Sequence, residues 1–227
     1  MPQREMKRQA TRGRLSERAY VFVREEILKG AWPVGVVLAE DSLAARIGIS
    51  RTPLRHALQR LLQEGFLEVG PRRQLVVRDL AEHRDEIVLL REALEAVALR
   101  RACEMMSAEE IDLLRLLLMR QRRAAEAPAE DDFIELDEQF HLAIADGAKL
   151  PLLYGFLIQL RGFVRLMRVG TKRHPGYLMA VLREHEAIVD ALERRDVDGA
   201  LAALTTHLHT RDYDRLGIAS REGHRAR

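Results

Sequence analysis

Gly48-Ile49-Ser50-Arg51-Thr52-Pro53-Leu54-Arg55 is the stretch that decides the fold of this chain. Gly48 closes one helical pattern and Pro53 opens another, with only the turn Gly48-Ile49-Ser50 between them. Upstream, residues 40–47 carry Leu43, Ala44 and Ile47 at helical spacing. Downstream, Thr52 reads as a cap and Pro53 as the first helical residue. Leu54, Ala57, Leu58, Leu61 and Leu62 then form one apolar face that ends at Gly65. Further out, Ser16 reads as the cap of a helix over 17–29 with the stripe Tyr20, Val23, Ile27 and Leu28, and Gly30 stops it. Beyond Gly65, Phe66-Leu67-Glu68-Val69 and Leu75-Val76-Val77 read as two short strands around Gly70-Pro71-Arg72-Arg73. Helix, helix, tight turn, helix and hairpin make a winged helix-turn-helix over residues 15–80.

In such a module the helix after the turn reads DNA. Its N-terminal end carries Ser50, Arg51, Thr52 and Arg55. Arg51 suits a base edge, because its fork matches the O6/N7 pair of guanine. Ser50, Thr52 and Arg55 suit phosphate contacts at a positive helix end. Arg72 and Arg73 stand at the hairpin tip, where a wing meets the backbone or minor groove. The charge balance agrees: residues 1–80 sum to +6 and residues 81–227 to −4, within a net charge of +2. The alternative is a set of ordinary solvated arginines on a small protein-contact module. Residues 1–14 are polar and basic with no apolar period, and read as a disordered arm.

The remainder is helical by period throughout. Six segments are expected, over 82–105, 108–124, 130–147, 151–168, 177–195 and 197–215, punctuated by Ala127-Pro128-Ala129, Leu150-Pro151 and Gly170 to Pro175. Ser107 and Glu110 spell a capping box at the second. The expected fold is therefore mainly α: a winged helix-turn-helix followed by an antiparallel bundle of about six helices over 81–216, with a flexible tail over 217–227. The chain of 227 residues is 47% hydrophobic and 32% charged, enough for two small cores. No apolar run is long enough for a membrane span, and the N-terminus has no apolar signal region. One cysteine, Cys103, excludes an internal disulfide framework. A soluble cytoplasmic protein is expected.

Four residues in the bundle carry a second kind of chemistry. Asp137 and His141 are four apart and share a helix face, His185 lies in Glu184-His185-Glu186, and His207 lies in Thr206-His207-Leu208. His185 shares a stripe with Val181, Ile188, Val189 and Leu192, and His207 with Ala203 and Leu204, so both face inward. Three imidazoles and a carboxylate could converge on a divalent Zn, Ni or Mn ion; singly, each His could equally be a core or surface residue with a local partner. Arg91, among Ile87, Leu94 and Val97 or Ala98, also faces inward and needs an anion. That anion is either Glu95 one turn on or the carboxylate of a ligand. Arg161, Arg165 and Arg168 could border the same space or form a solvated face.

Two resemblances add to this. Ser50-Arg51-Thr52-Pro53-Leu54-Arg55-x-Ala57-Leu58-x-x-Leu61 with Glu64-Gly65-Phe66-Leu67 resembles the DNA-binding domain of the GntR family of bacterial transcription regulators. Gln74 stands near the position of that family's usual wing glycine. The pattern Asp137-x-x-x-His141, Glu184-His185 and His207-Leu208 resembles the FCD domain of the FadR-type subgroup, although Lys149-Leu150 stands where that family often has Gly-Asn. The resemblance implies a homodimeric repressor or activator, with a repressor the expectation, on a short palindromic operator in double-stranded DNA. It also implies a divalent metal on Asp137, His141, His185 and His207, at the floor of a cavity where a small carboxylate effector meets Arg91. Two other readings stand beside it: a metal-dependent enzyme using the three His and Asp137, and a regulator whose metal is purely structural.

Overall fold

The computed structural model describes residues 2–127, 130–169 and 176–209. Two compact units divide the chain, the first over Met1–Glu82 with Arg165–Val169 and the second over His83–Val164 and Gly170–Arg227; the first break falls a few residues beyond the boundary expected near residue 80. Among the described residues no helix is long and apolar enough to cross a membrane.

In the first unit, helices α1 (Pro2–Leu28), α2 (Glu40–Ile47) and α3 (Arg51–Gln63) precede strands β1 (Leu67–Val69) and β2 (Leu75–Val77). α1 packs along α3, and Val23, Ile27, Leu54, Leu58, Leu61 and Phe66 are almost fully buried between the elements. Gly48 ends α2 at φ 72°, a left-handed conformation, and its N–H returns to the Ala44 carbonyl. This lets the chain turn within three residues into α3. β1 and β2 pair antiparallel with Leu67 opposite Val77 and Val69 opposite Leu75. The segment around Val37 adds a bridge to Val76, with Leu38 N–H bonded to the Leu75 carbonyl. This third edge piece was not foreseen.

Three expectations change here. Residues 2–14 belong to α1 rather than to a disordered arm. Pro2 sits at the first helical position, and Arg, Gln, Glu, Met, Lys and Ala follow with no breaker before Gly13, so helix propensity alone carries the segment. Ser16 therefore lies inside α1 and caps nothing. The N-cap of α3 is Ser50 (φ −75°, ψ 163°) rather than Thr52. Pro53 then falls at the third helical position, where its missing N–H is still one of the helix's unpaired four.

The second unit holds α4 (Arg84–Met105), α5 (Ala108–Glu126), α6 (Glu130–Gly147), α7 (Pro151–Met167) up to Val164, α8 (Tyr177–Glu193) and α9 (Val197–His209). The capping box of α5 has both bonds, Glu110 N–H to Ser107 Oγ at 3.3 Å and Ser107 N–H to Glu110 Oε2 at 2.8 Å. α4 packs on α6 and α9, α5 on α6 and α8, and α8 on α9. The inner faces of α4, α6, α8 and α9 thereby share one interior. Residues 210–215 of the last expected helix and the tail 217–227 lie outside the described residues.

Candidate metal centre and nucleic-acid interface

One turn of α6 brings Asp137 and His141 onto the same buried face. α8 supplies His185 and α9 supplies His207, both fully buried. One ligand atom from each of the four lies within 4.8 Å of all the others. Ligands about 2.1 Å from a common ion can be up to about 4.2 Å apart, so a small contraction closes this set.

What surrounds the four residues fixes their protonation. His141 Nδ1 lies 3.0 Å from Glu95 Oε2, and His207 Nδ1 lies 3.0 Å from Glu184 Oε2. A carboxylate only accepts, so both rings carry their proton on Nδ1. His185 Nδ1 lies 2.8 Å from Gln121 Oε1, while Gln121 Nε2 donates to the Leu136 carbonyl at 3.0 Å. With its amide nitrogen committed, Gln121 presents its oxygen, and His185 too is protonated on Nδ1. Phe140 stacks on the His185 ring at a centroid distance of 4.3 Å. The three Nε2 atoms are thus bare lone pairs turned toward one another.

Those lone pairs are poorly satisfied by protein alone. His141 Nε2 and His207 Nε2 are 3.2 Å apart, two acceptors face to face. His185 Nε2 is buried without a hydrogen bond, 3.5 Å from Asp137 Oδ1. Arg161 Nη2 holds Asp137 Oδ2 at 2.6 Å and leaves Oδ1 toward the imidazoles. Three imidazole nitrogens and one carboxylate oxygen in a dry setting are the donor set of a divalent transition metal. The residues present fit such an ion.

Burial first, and the Arg161 cation next, push His141 down to about 3. Burial also pushes His185 down to about 4, and His207 falls well below the usual imidazole range through burial and its two His neighbours. For Glu95, burial alone raises the pKa, but Arg91, His141 and Arg161 outweigh it and hold the carboxylate well below its ordinary range. The site therefore offers neutral imidazoles beside an ionised Glu95.

Arg91 is buried, and its Nε donates to Glu95 Oε1 at 2.6 Å. Its Nη2 also reaches 3.4 Å from His141 Nε2. The arginine meets the local partner and the rim of the metal set at once. Beyond His141 and Glu95, a cavity of about 10 Å³ is walled by Ala98, Leu99, Ile144, Leu157, Ile188 and Leu204, room for roughly one water. Gln121 and Glu184 went unread in the sequence as partners of the imidazoles, and Arg161 was read without its contact to Asp137. Gln121 left a signal: it is the polar member of the buried α5 stripe Ile111, Leu114, Leu118, Gln121 and Ala124.

The first unit presents its own chemistry. Pro53, Leu54, Ala57, Leu58 and Leu61 are the buried face of α3. Arg51, Thr52, Arg55, His56, Gln59 and Arg60 are exposed on the other, and Ser50 is exposed at its cap. Arg51 Nε lies 2.7 Å from Asp41 Oδ1, and Arg55 Nε 2.7 Å from Glu40 Oε2, so two acidic residues of α2 hold the arginines on this face. His56 and Gln59 join the face although the sequence reading passed over them; they are the next turn of its polar stripe. Arg72 and Arg73 are exposed at the hairpin tip, and Arg73 takes φ 60°.

Comparison with known proteins matches both units. Residues 15–77 match the family model "Bacterial regulatory proteins, gntR family", and residues 86–210 match the FCD domain. The chain is 30% identical over 196 residues to the HTH-type transcriptional repressor RspR of Escherichia coli (strain K12), covering 86% of each. It is 32% identical over 206 residues to a probable D-xylose utilization operon transcriptional repressor of Paenarthrobacter nicotinovorans, covering 87% of each. Among solved structures it is similar to E. coli McbR/YncC, with a TM-score of 0.80 at 25% identity over 89% of this chain and 97% of that one. The first matched range falls on the winged module and the second on the helical unit with the three histidines and the aspartate: the chain belongs to the GntR family of bacterial transcriptional regulators, with a C-terminal FCD domain.

Proposed function

We propose that this regulator is a homodimeric repressor whose grip on a palindromic operator is set by a small carboxylate, bound beside a divalent metal in the FCD domain. The observation that carries the reading is the convergence of the three Nε2 atoms and Asp137 Oδ1 with the Arg91 guanidinium at their edge. Asp137, His141, His185 and His207 would hold the ion, while Glu95, Gln121 and Glu184 keep the imidazoles in the receptive tautomer. The bound ion supplies a fixed positive charge to which an acid can attach. Arg91, whose Nη2 lies at the edge of the set beside His141, then contributes a second cation to which the ligand carboxylate can attach. The apolar wall of Ala98, Leu99, Ile144, Leu157, Ile188 and Leu204 faces the rest of the acid. Because the resting cavity has room for roughly one water, a larger acid binds only if those helices shift. The energy it can pass to DNA binding is limited to its differential affinity for the two arrangements.

In DNA recognition, Arg51 reads a base edge, while Ser50, Thr52, Arg55, Arg72 and Arg73 position the backbone. Palindromic half-sites call for a two-fold protein. Two relatives named as repressors favour repression. The test is elemental analysis of wild type and His185→Ala after loading with Zn, Ni or Mn. Calorimetry with short mono- and dicarboxylic acids follows, and then fluorescence anisotropy on an operator selected from random duplexes. Stoichiometric metal in wild type alone, and an acid that changes operator affinity only in the metal-loaded protein, support the reading. Metal that raises the melting temperature while no acid alters operator affinity would assign it a structural role. Absence of stoichiometric metal in wild type defeats both.

A further inference from the structure

α3 sorts its exposed side chains into a centre and two flanks. Thr52, His56 and Gln59 follow one another at steps of four and three, on the side of the helix opposite the buried Leu54, Ala57, Leu58 and Leu61. The arginines stand to either side of this row. On one flank, Arg51 Nε and Arg55 Nε each lie 2.7 Å from a carboxylate of α2, Asp41 and Glu40. On the other, Arg60 meets Glu17 of α1 and Glu64 at 2.9 Å each, and its guanidinium lies 3.6 Å from the centre of the Tyr20 ring. Among the described residues, the side chains of His56 and Gln59 are held by no such partner.

This layout separates the two kinds of contact that DNA offers. Phosphate oxygens are anionic and suit the guanidiniums on the flanks. Base edges are rows of uncharged donors and acceptors, and the central side chains match them in kind. A helix lying in the major groove turns the side opposite its own core toward the base pairs. At 1.5 Å per residue, His56 and Gln59 stand about 7.5 Å and about 12 Å along the axis from Arg51. That reach corresponds to roughly two and three to four base pairs at 3.4 Å each. The amide of Gln59 offers one acceptor and one donor side by side, the complement of adenine N6 and N7. The imidazole of His56 offers an N–H to purine N7, with a bare nitrogen on the far side of the ring.

We propose that His56 and Gln59 are specificity-determining residues of this regulator: Gln59 reads an adenine, and His56 reads a purine between that adenine and the base met by Arg51. This rests on the operator-binding reading above and extends it.

The test uses the full-length chain. Selection from random duplexes gives the operator. Fluorescence anisotropy then measures each protein on that operator and on derivatives with one symmetric base-pair change at each position in turn. Both side chains are exposed, so replacing them leaves the core intact. Gln59→Ala is expected to lose discrimination at one adenine position: a change that costs wild type about 10-fold costs the variant less than about 2-fold, and the other positions are unaltered. His56→Ala does the same at one purine position closer to that of Arg51. The salt dependence of both stays that of wild type, since no phosphate contact is lost. Gln59→Glu, whose carboxylate accepts from cytosine N4, is expected to prefer cytosine where wild type prefers adenine. A residue that only shapes the helix produces no such exchange. Equal weakening on every duplex, or unchanged affinity on all of them, at either residue overturns that residue's assignment and leaves the operator reading standing. A wild type that enriches no sequence overturns both.

Discussion

At the scale of single residues, Gln121 decides which nitrogen of His185 faces the metal. Its amide nitrogen is committed to the Leu136 carbonyl, so only an acceptor is left for His185 Nδ1. Gln121→Ala removes that acceptor without touching a ligand. It is expected to lower metal affinity by about 10–100-fold, measured by competition with a chromophoric chelator, while Gln121→Glu, which keeps an acceptor, loses less. Glu184→Ala acts likewise through His207. On the DNA side, Arg51 and Arg55 already hold carboxylates of α2, so DNA contact exchanges one anion for another. Arg51→Ala is expected to cost roughly 1–3 kcal/mol on operator DNA and to relax specificity at one position. Arg55→Ala weakens operator and scrambled duplexes alike and flattens the salt dependence. Anisotropy titrations on both duplexes separate the two roles, and equal losses on both for Arg51→Ala contradict base reading. Two residues at positive φ, Arg73 and Lys149, stand beside or at positions where the family favours glycine.

Secondary-structure elements were legible in the sequence where stop signals and apolar period agreed. α2, α6 and the start of α5 fall where Gly48, the Ala127-Pro128-Ala129 break and the Ser107–Glu110 box place them. Ser107→Ala removes one capping bond and is expected to cost about 1 kcal/mol of stability, read as a shift in the urea midpoint at unchanged slope. The first half of α1 lacks an apolar stripe, so only its helix propensity marks it as helical. The α3 cap was placed two residues late because Pro53 was assumed to open the helix, although a proline is tolerated anywhere in the first turn. Of the site, His185 and His207 could be read as inward-facing from their stripes and Asp137 and His141 as sharing one helix face, while the four as one ligand set rested on the family resemblance. Their supporting contacts could not: Glu95 to His141, Gln121 to His185, Glu184 to His207 and Arg161 to Asp137 join residues 23 to 64 positions apart. Only packing of the helices sets such pairs. The outer face of α4 was hidden for a related reason. Val97 and Ala98 are adjacent and both apolar, and the sequence left open which faces inward; the structure buries Ala98 and exposes Val97.

For the whole molecule, the neutral imidazoles link folding, metal and acid. In the metal-free protein His141 is held down to about 3 and His185 to about 4, chiefly by burial, whereas in the unfolded chain a histidine titrates near 6.5. Below about pH 6.5 the unfolded chain therefore binds protons that the folded protein does not. The sign follows: this stability is fully present above about pH 6.5 and is lost as pH falls toward 3 to 4, by up to about 1.4 kcal/mol per pH unit for each imidazole. A bound metal steepens the loss, since protons compete for the same Nε2 atoms. Urea unfolding at fixed protein concentration is expected to show a flat midpoint between pH 7 and 8 and a steep decline from pH 6.5 to 5. The gain in midpoint on adding metal is expected to shrink over the same interval. His185→Phe, which keeps an aromatic ring against Phe140 but cannot titrate, is expected to make the metal-free decline shallower even if its stability at pH 7.5 is lower. A decline equally steep in wild type and His185→Phe would show that His185 does not drive the acid sensitivity. The protons would then enter at His141 and His207, whose imidazoles burial also holds below the usual range.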